Sequence, residues 1–196
     1  MSKDLQIIKE LESRFGGLRA YYSTFEEFDY KISNYKVIEL RLSSKKLKNE
    51  DLELIGKLTS LKDLYLNNNQ ITKIEGLNNL VELEYLNLND NQISKIQGLE
   101  KLTNLKYLHL KNNQITKIQG LDKSTKLRWL NFEGNNIDII QGLDNLRNLK
   151  DINFYDTNIP KKEIKQFKIY NPEIFVYYNS ELTMALLDLI KQNKQK

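Results

Sequence analysis

Few residues of this 196-residue chain could carry out a reaction. It has one histidine, His109, and no cysteine, which removes disulfide frameworks, thiolate metal sites and thiol catalysis together. His109 lies two residues from Tyr107 and two from Lys111, with Glu133 further on. A general base, however, needs a nucleophile or a held water within hydrogen-bond reach. No triad, phosphate loop or paired metal motif accompanies it, and Gly16-Gly17 is not a phosphate-binding fingerprint. The expectation is a chain that is not an enzyme and holds neither cofactor nor metal, with His109 serving as a contact residue. The other conspicuous group is aromatic. Tyr85, Tyr107 and Trp129, the last being the only tryptophan, stand 22 residues apart, with Tyr65 and Tyr155 nearby. Rigid rings with polar tips do their chemistry by recognition, as anchors in protein and peptide interfaces.

The elements that must position these rings follow from the same spacing. Leu61, Leu83, Leu105, Leu127 and Leu149 recur every 22 residues, and so do Leu64, Leu86, Leu108, Leu130 and Ile152. Further columns hold Leu66 to Phe154, Ile71 to Ile159, Ile74 to Ile140, and glycines 76, 98, 120 and 142. A fixed period of this length means stacked coils. Within each coil, Leu64-Tyr65-Leu66 alternates apolar and polar, which predicts a short strand with leucines inward and Tyr65 outward. Ile71, Ile74, Leu77 and Leu80 return along the other side towards the same interior. One coil cannot bury its own apolar face, so stability must come from the stacking of neighbours.

These lines, for example Leu83-Glu-Tyr-Leu86-Asn-Leu88-Asn-Asp-Asn91-Gln-Ile93, resemble leucine-rich repeats of the 22-residue class, such as those of the regulatory subunit of protein phosphatase 1 and of internalins. The resemblance spans roughly residues 37 to 159. It implies an α/β fold: a right-handed, curved solenoid with a parallel sheet on its concave face and helical caps at both ends. It implies no particular partner, because this family scaffolds many unrelated interactions.

The column Asn69, Asn91, Asn113 and Asn135 is expected to be a structural ladder, each amide bonding backbone groups of its own and the neighbouring coil. Thr157 replaces the fifth Asn, and the segment 37 to 60 is two residues too long, marking the two ends of the array. Ser124 interrupts the column of Leu80, Leu102 and Leu146 without evident reason.

One domain is expected, in three parts: a helical cap over 1–36, the repeat array over 37–159, and a cap with a terminal strand and helix over 160–196. Leu5, Ile8 and Leu11 predict a helix from Asp4 to Arg14, stopped at Gly16. Thr24 to Glu27 resembles a capping box, with Phe25 and Phe28 sealing the first coil. Pro160 starts a helix, Pro172 breaks it, and Ile174 to Tyr178 reads as a last strand. A final helix, 181 to about 192, carries Leu182, Ala185, Leu186 and Leu189 on one stripe.

Alternation places Glu39, Asp63, Tyr85, Tyr107, Trp129 and Asp151 in one outward column, and Arg41, Tyr65, Asn87, His109, Asn131 and Asn153 in a second. Ser43, Asn67, Asn89, Lys111, Glu133 and Tyr155 form a third. The expected partner-binding surface comprises Tyr65, Tyr85, Tyr107, His109, Trp129 and Tyr155. Asp63, Glu133 and Asp151 would select basic groups on the partner, and Arg41 or Lys111 acidic ones. The alternative is a stripe of Lys73, Lys95 and Lys117, joined by Lys45, Lys46 and Lys48, that holds nucleic acid or another polyanion. It is the lesser reading, because Glu75 and Ile139 interrupt it and the formal charge is only +4. The start of the sequence lacks a signal-peptide pattern, no apolar run approaches a membrane span, and there is no Asn-x-Ser/Thr acceptor. A cytoplasmic monomer that binds a protein or peptide, without membrane contact, is the expectation.

Overall fold

The computed structural model describes residues 2–18 and 29–179. Helix α1, Lys3–Phe15, starts where the Ser2 hydroxyl accepts the Leu5 amide at 3.3 Å and stops at Gly16, whose φ of +89° suits a residue without Cβ. It buries Ile7, Ile8 and Leu11. Leu5, expected on the buried stripe, is only half-buried. Polar contacts tie α1 to the first unit of the array: the Val37 amide donates to Asp4 Oδ2 at 2.9 Å, and Arg14 pairs with Asp51 at 3.3 Å.

The N-terminal segment is not wholly helical as expected. Strand β1, Tyr30–Ser33, pairs antiparallel with β2, Lys36–Arg41, through a two-residue turn at Asn34 and Tyr35. Both turn residues have positive φ, 49° and 61°. Such a turn matches the twist of a hairpin and usually carries Asn-Gly, so the Tyr at its second position hid it.

From β2 onward every strand is parallel to the last. Helix α2, Asn49–Ile55, then β3 Asp63–Tyr65, β4 Tyr85–Asn87, β5 Tyr107–His109, β6 Trp129–Asn131 and β7 Asp151–Asn153 lead to helix α3, Lys161–Tyr170, and strand β8, Phe175–Tyr177. The sheet order is β1 to β8 without crossover. The two extra residues of the first unit accommodate α2, which buries Leu52 and Ile55 in place of an extended return. Both α3 and β8 fall on the stretches read from Pro160 and Ile174. The capping box at Thr24 to Glu27, with Phe25 and Phe28, and the helix over 181–192 lie outside the described residues.

One continuous core runs the length of the stack. Leu64, Leu86, Leu108, Leu130 and Ile152 are fully buried, as are Ile71, Ile93, Ile115 and Ile137. Phe132 and Phe154 replace two leucines and stack with centroids 6.1 Å apart and planes within 7°. The chain is a solenoid of α/β type with an open, largely parallel sheet.

The buried Asn residues join successive coils. Asn113 Nδ2 donates to the Leu88 and Leu110 carbonyls, both at 3.0 Å, and its Oδ1 accepts the Ile93 amide at 2.9 Å. Asn91 and Asn135 repeat this pattern one coil earlier and one later. Asn69 does the same in the first coil, accepting from Lys45 and Leu47. Thr157 keeps only a bond to its own coil, to the Phe154 carbonyl at 2.9 Å. Close packing also fixes the glycine column: a Cβ on Gly98, at φ +79°, would collide with the Ile74 carbonyl oxygen. No helix among the described residues is long and apolar enough to cross a membrane.

Candidate binding face

The strand register fixes which residues share a row on the uncovered side of the sheet. One row reads Glu39, Asp63, Tyr85, Tyr107, Trp129, Asp151 and Phe175 from β2 to β8. The next reads Arg41, Tyr65, Asn87, His109, Asn131, Asn153 and Tyr177. In each strand the residue between these two rows points into the core.

The rings of both rows interlock into a staircase. The Arg41 guanidinium sits 4.3 Å from the Tyr65 centroid. Tyr65 and Tyr85 follow at 4.8 Å, Tyr85 and Tyr107 at 6.2 Å, and Tyr85 and His109 at 5.1 Å. His109 and Trp129 are 6.1 Å apart, and Trp129 reaches Tyr177 at 5.7 Å. The separations and tilts are those favoured by ring quadrupoles, so each ring restrains its neighbours. Tyr65, Tyr85, His109 and Trp129 are half-buried, whereas Tyr107 is 38% exposed. Burial raises the Tyr65 and Tyr85 phenols above their usual range and lowers the His109 imidazole, so His109 is uncharged at neutral pH.

Two members of this face are absent from the sequence expectation. Phe175 is 70% and Tyr177 42% exposed, and Tyr177 donates its hydroxyl to Asp151 Oδ1 at 3.2 Å. The alternation Phe175-Val176-Tyr177 carried the signal, but the strand lacks the leucine pattern of the others. Conversely, Asn131 and Asn153 are buried. Their Oδ1 atoms accept the amides of Glu133 and Tyr155, each at 2.9 Å, which fixes the end of each strand. Tyr155 stands apart and makes no ring contact among the described residues.

The charges are mostly matched internally. Arg41 pairs with Glu39 at 2.7 Å, Lys106 with Glu84 at 2.6 Å and Lys111 with Glu133 at 2.7 Å. The Lys106 contact pulls the Glu84 carboxyl down, and the Glu133 contact pushes the Lys111 amine up. Arg41, Lys111 and Glu133, expected to select groups on a partner, are thus engaged within the sheet. Asp63 differs. Burial first, and then Glu39 and Glu84, raise its carboxyl against the pull of Arg41 and Lys62. Among the described residues no three acidic or histidine side chains converge as a metal site would require.

Two descriptions of the leucine-rich repeat family match the chain, "Leucine rich repeat" over residues 36–93 and "Leucine Rich repeats (2 copies)" over 81–123. No curated protein matches in sequence. Among the solved structures that match is "Crystal structure of TLR13-ssRNA13 complex", 23% identical, with a TM-score of 0.65 over 76% of this chain and 22% of that one. The chain therefore spans about a fifth of that structure's length, and the likeness is one of fold.

Proposed function

The chain is a leucine-rich repeat protein, a member of a family whose domains are generally protein-interaction modules, and from that premise we propose that its aromatic sheet face binds a protein or peptide partner. The observation that carries this reading is the unbroken run of rings from Tyr65 to Tyr177, spanning β3 to β8 in the described residues without a covering element. Rings already held by their neighbours lose little freedom on binding, and their half-burial leaves both an apolar face and a polar tip for contact. Tyr65, Tyr85, Tyr107, His109 and Trp129 form the contact surface, Tyr155 its margin, and Asp63 and Asp151 its carboxylates outside any ion pair among the described residues. Recognition here needs no chemical step, in keeping with a family that typically scaffolds rather than catalyses.

Replacing Tyr85, Tyr107 and Trp129 together by Ala tests it. Crosslinked capture from native extract should lose the partner while the circular dichroism spectrum keeps its shape; retained capture would overturn the reading. The polyanion alternative is weaker. Lys73 lies 3.9 Å from Glu75, and Ile139 stands 44% exposed at the equivalent end of the lysine stripe. That TLR13 was solved with ssRNA concerns that protein, and a fold likeness at 23% identity brings no ligand with it. Binding to oligouridylate lost on replacing Lys73, Lys95 and Lys117 would favour the alternative.

A further inference from the structure

Between β5, β6 and β7 the rings part around a pocket of about 340 Å³, lined by Tyr107, His109, Arg128, Trp129, Lys150 and Asp151. Its electrostatics differ from the rest of the face. Elsewhere the cations Arg41, Lys106 and Lys111 each have a carboxylate within 2.7 Å. Arg128 and Lys150 have none among the described residues, and both are exposed at the pocket. The single carboxylate in the lining, Asp151, already accepts the Tyr177 hydroxyl at 3.2 Å. His109, uncharged through burial, adds nothing to the balance. Two unpaired cations thus face one occupied carboxylate. In addition, Trp129 Nε1–H is buried without an acceptor, which leaves a hydrogen-bond donor of the pocket wall unsatisfied.

Resting on the binding face proposed above, we infer that this pocket seats an aspartate or glutamate side chain of an extended peptide, with an apolar residue beside it against Tyr107 and Trp129. Arg128 and Lys150 meet the carboxylate at the mouth. A basic side chain here would stand against two like charges. A polyphosphate backbone would have to continue past the unpaired Asp63, since Arg41 and Lys111 along the same face are already engaged by Glu39 and Glu133, so a single acid suits the site and a run of them does not.

The far end of the face supplies the complementary rule. Asp63 makes no ion pair among the described residues and stands in the same outward row as Tyr107, Trp129 and Asp151 of the pocket, so a cation on the same partner segment can meet it. It lies three to four strands from the pocket, ~14 to 19 Å at ~4.8 Å per strand, or about four to six extended residues. The partner segment therefore carries an acid at one end and a Lys or Arg about four to six residues away, with apolar residues between.

Panning a phage-displayed library of linear peptides on the full chain tests this, with affinities of dye-labelled synthetic peptides read from their fluorescence anisotropy. The expected winners carry that acid and base at that spacing. They weaken ~10-fold or more on the Arg128→Glu/Lys150→Glu variant, because charge-assisted bonds are lost, and panning on the variant selects a base in place of the acid. Winners without an enriched acid, or indifferent to the charge reversal, overturn this inference while leaving the face reading intact if the aromatic triple variant no longer binds them. Winners that still bind the triple variant overturn both. Displacement of the winners by oligouridylate at lower concentration than by an acidic peptide overturns the assignment of a peptide partner. Arg128 and Lys150 are exposed, so an unchanged circular dichroism spectrum of the variant keeps each outcome readable.

Discussion

Tyr177 and Trp129 belong to strands separated by β7, yet their ring centroids are 5.7 Å apart, with the Tyr177 hydroxyl resting on Asp151 of the intervening strand. The last strand thus reaches back over its neighbour and shields one side of the only indole. Tyr177→Ala should move Trp129 emission to longer wavelength, since water then reaches the ring. Stability should change by no more than about 0.5 kcal/mol, because Tyr177 is a surface residue. Unaltered emission would mean that the indole is screened by something else.

Asn113→Leu should lower the urea midpoint. The Ile93 amide would lose its partner inside the stack, while the Leu88 and Leu110 carbonyls keep the side-chain amides of Asn91 and Asn135 as donors. For one buried group left unsatisfied the loss should be ~1 to 3 kcal/mol. An unmoved midpoint would show that the coils do not depend on the amide.

Ser124 is 1% exposed and its hydroxyl has no partner, in a column where Leu80 and Leu102 are fully buried. Ser124→Ala removes the unpaired group without adding volume, so it should stabilise by about 1 kcal/mol at unchanged m-value. A fall in the midpoint would indicate that a buried water answers the hydroxyl. The position itself has no structural rationale.

Burial lowers the His109 imidazole from its ordinary 6.5. The unfolded chain then binds the proton more readily than the folded one, so this contribution is complete above pH 6.5 and is lost as pH falls towards the lower folded value. The midpoint should drop on acidification through that window, and the drop should shrink in His109→Gln. A variant with the same pH profile as the parent would exclude His109 as its source. Asp63 works in the opposite sense: its folded carboxyl is raised above 3.8, so Asp63→Asn should help at neutral pH and make no difference at pH values well below 3.8.

Most of the fold was legible because the 22-residue period makes each coil repeat the same burial problem. Leu64, Leu86 and Leu108 fill one column of one interior, and that requirement alone sends Tyr65, Tyr85 and Tyr107 outward. The sequence was less informative where the period stops. The hairpin turn at Asn34 and Tyr35 lacks its usual glycine, and α2 needs only two residues beyond a normal coil. Phe175 and Tyr177 sit on a strand whose core residue is Val176, with no leucine signature around it. Within the face, alternation gave the side of each residue but not its partners. Glu133 and Lys111 point outward as expected yet hold each other at 2.7 Å, and the buried Asn131 and Asn153 turn back onto their own backbone. Pairing between side chains one coil apart depends on rotamers, which a periodic pattern does not encode.

Among the described residues the two ends of the sheet are not equivalent. At β1 the sheet closes on an antiparallel pair, whereas β8 keeps the parallel register used from β2 onward. One edge of the array therefore continues the repeat's own pairing and the other interrupts it, which gives the stack a polarity.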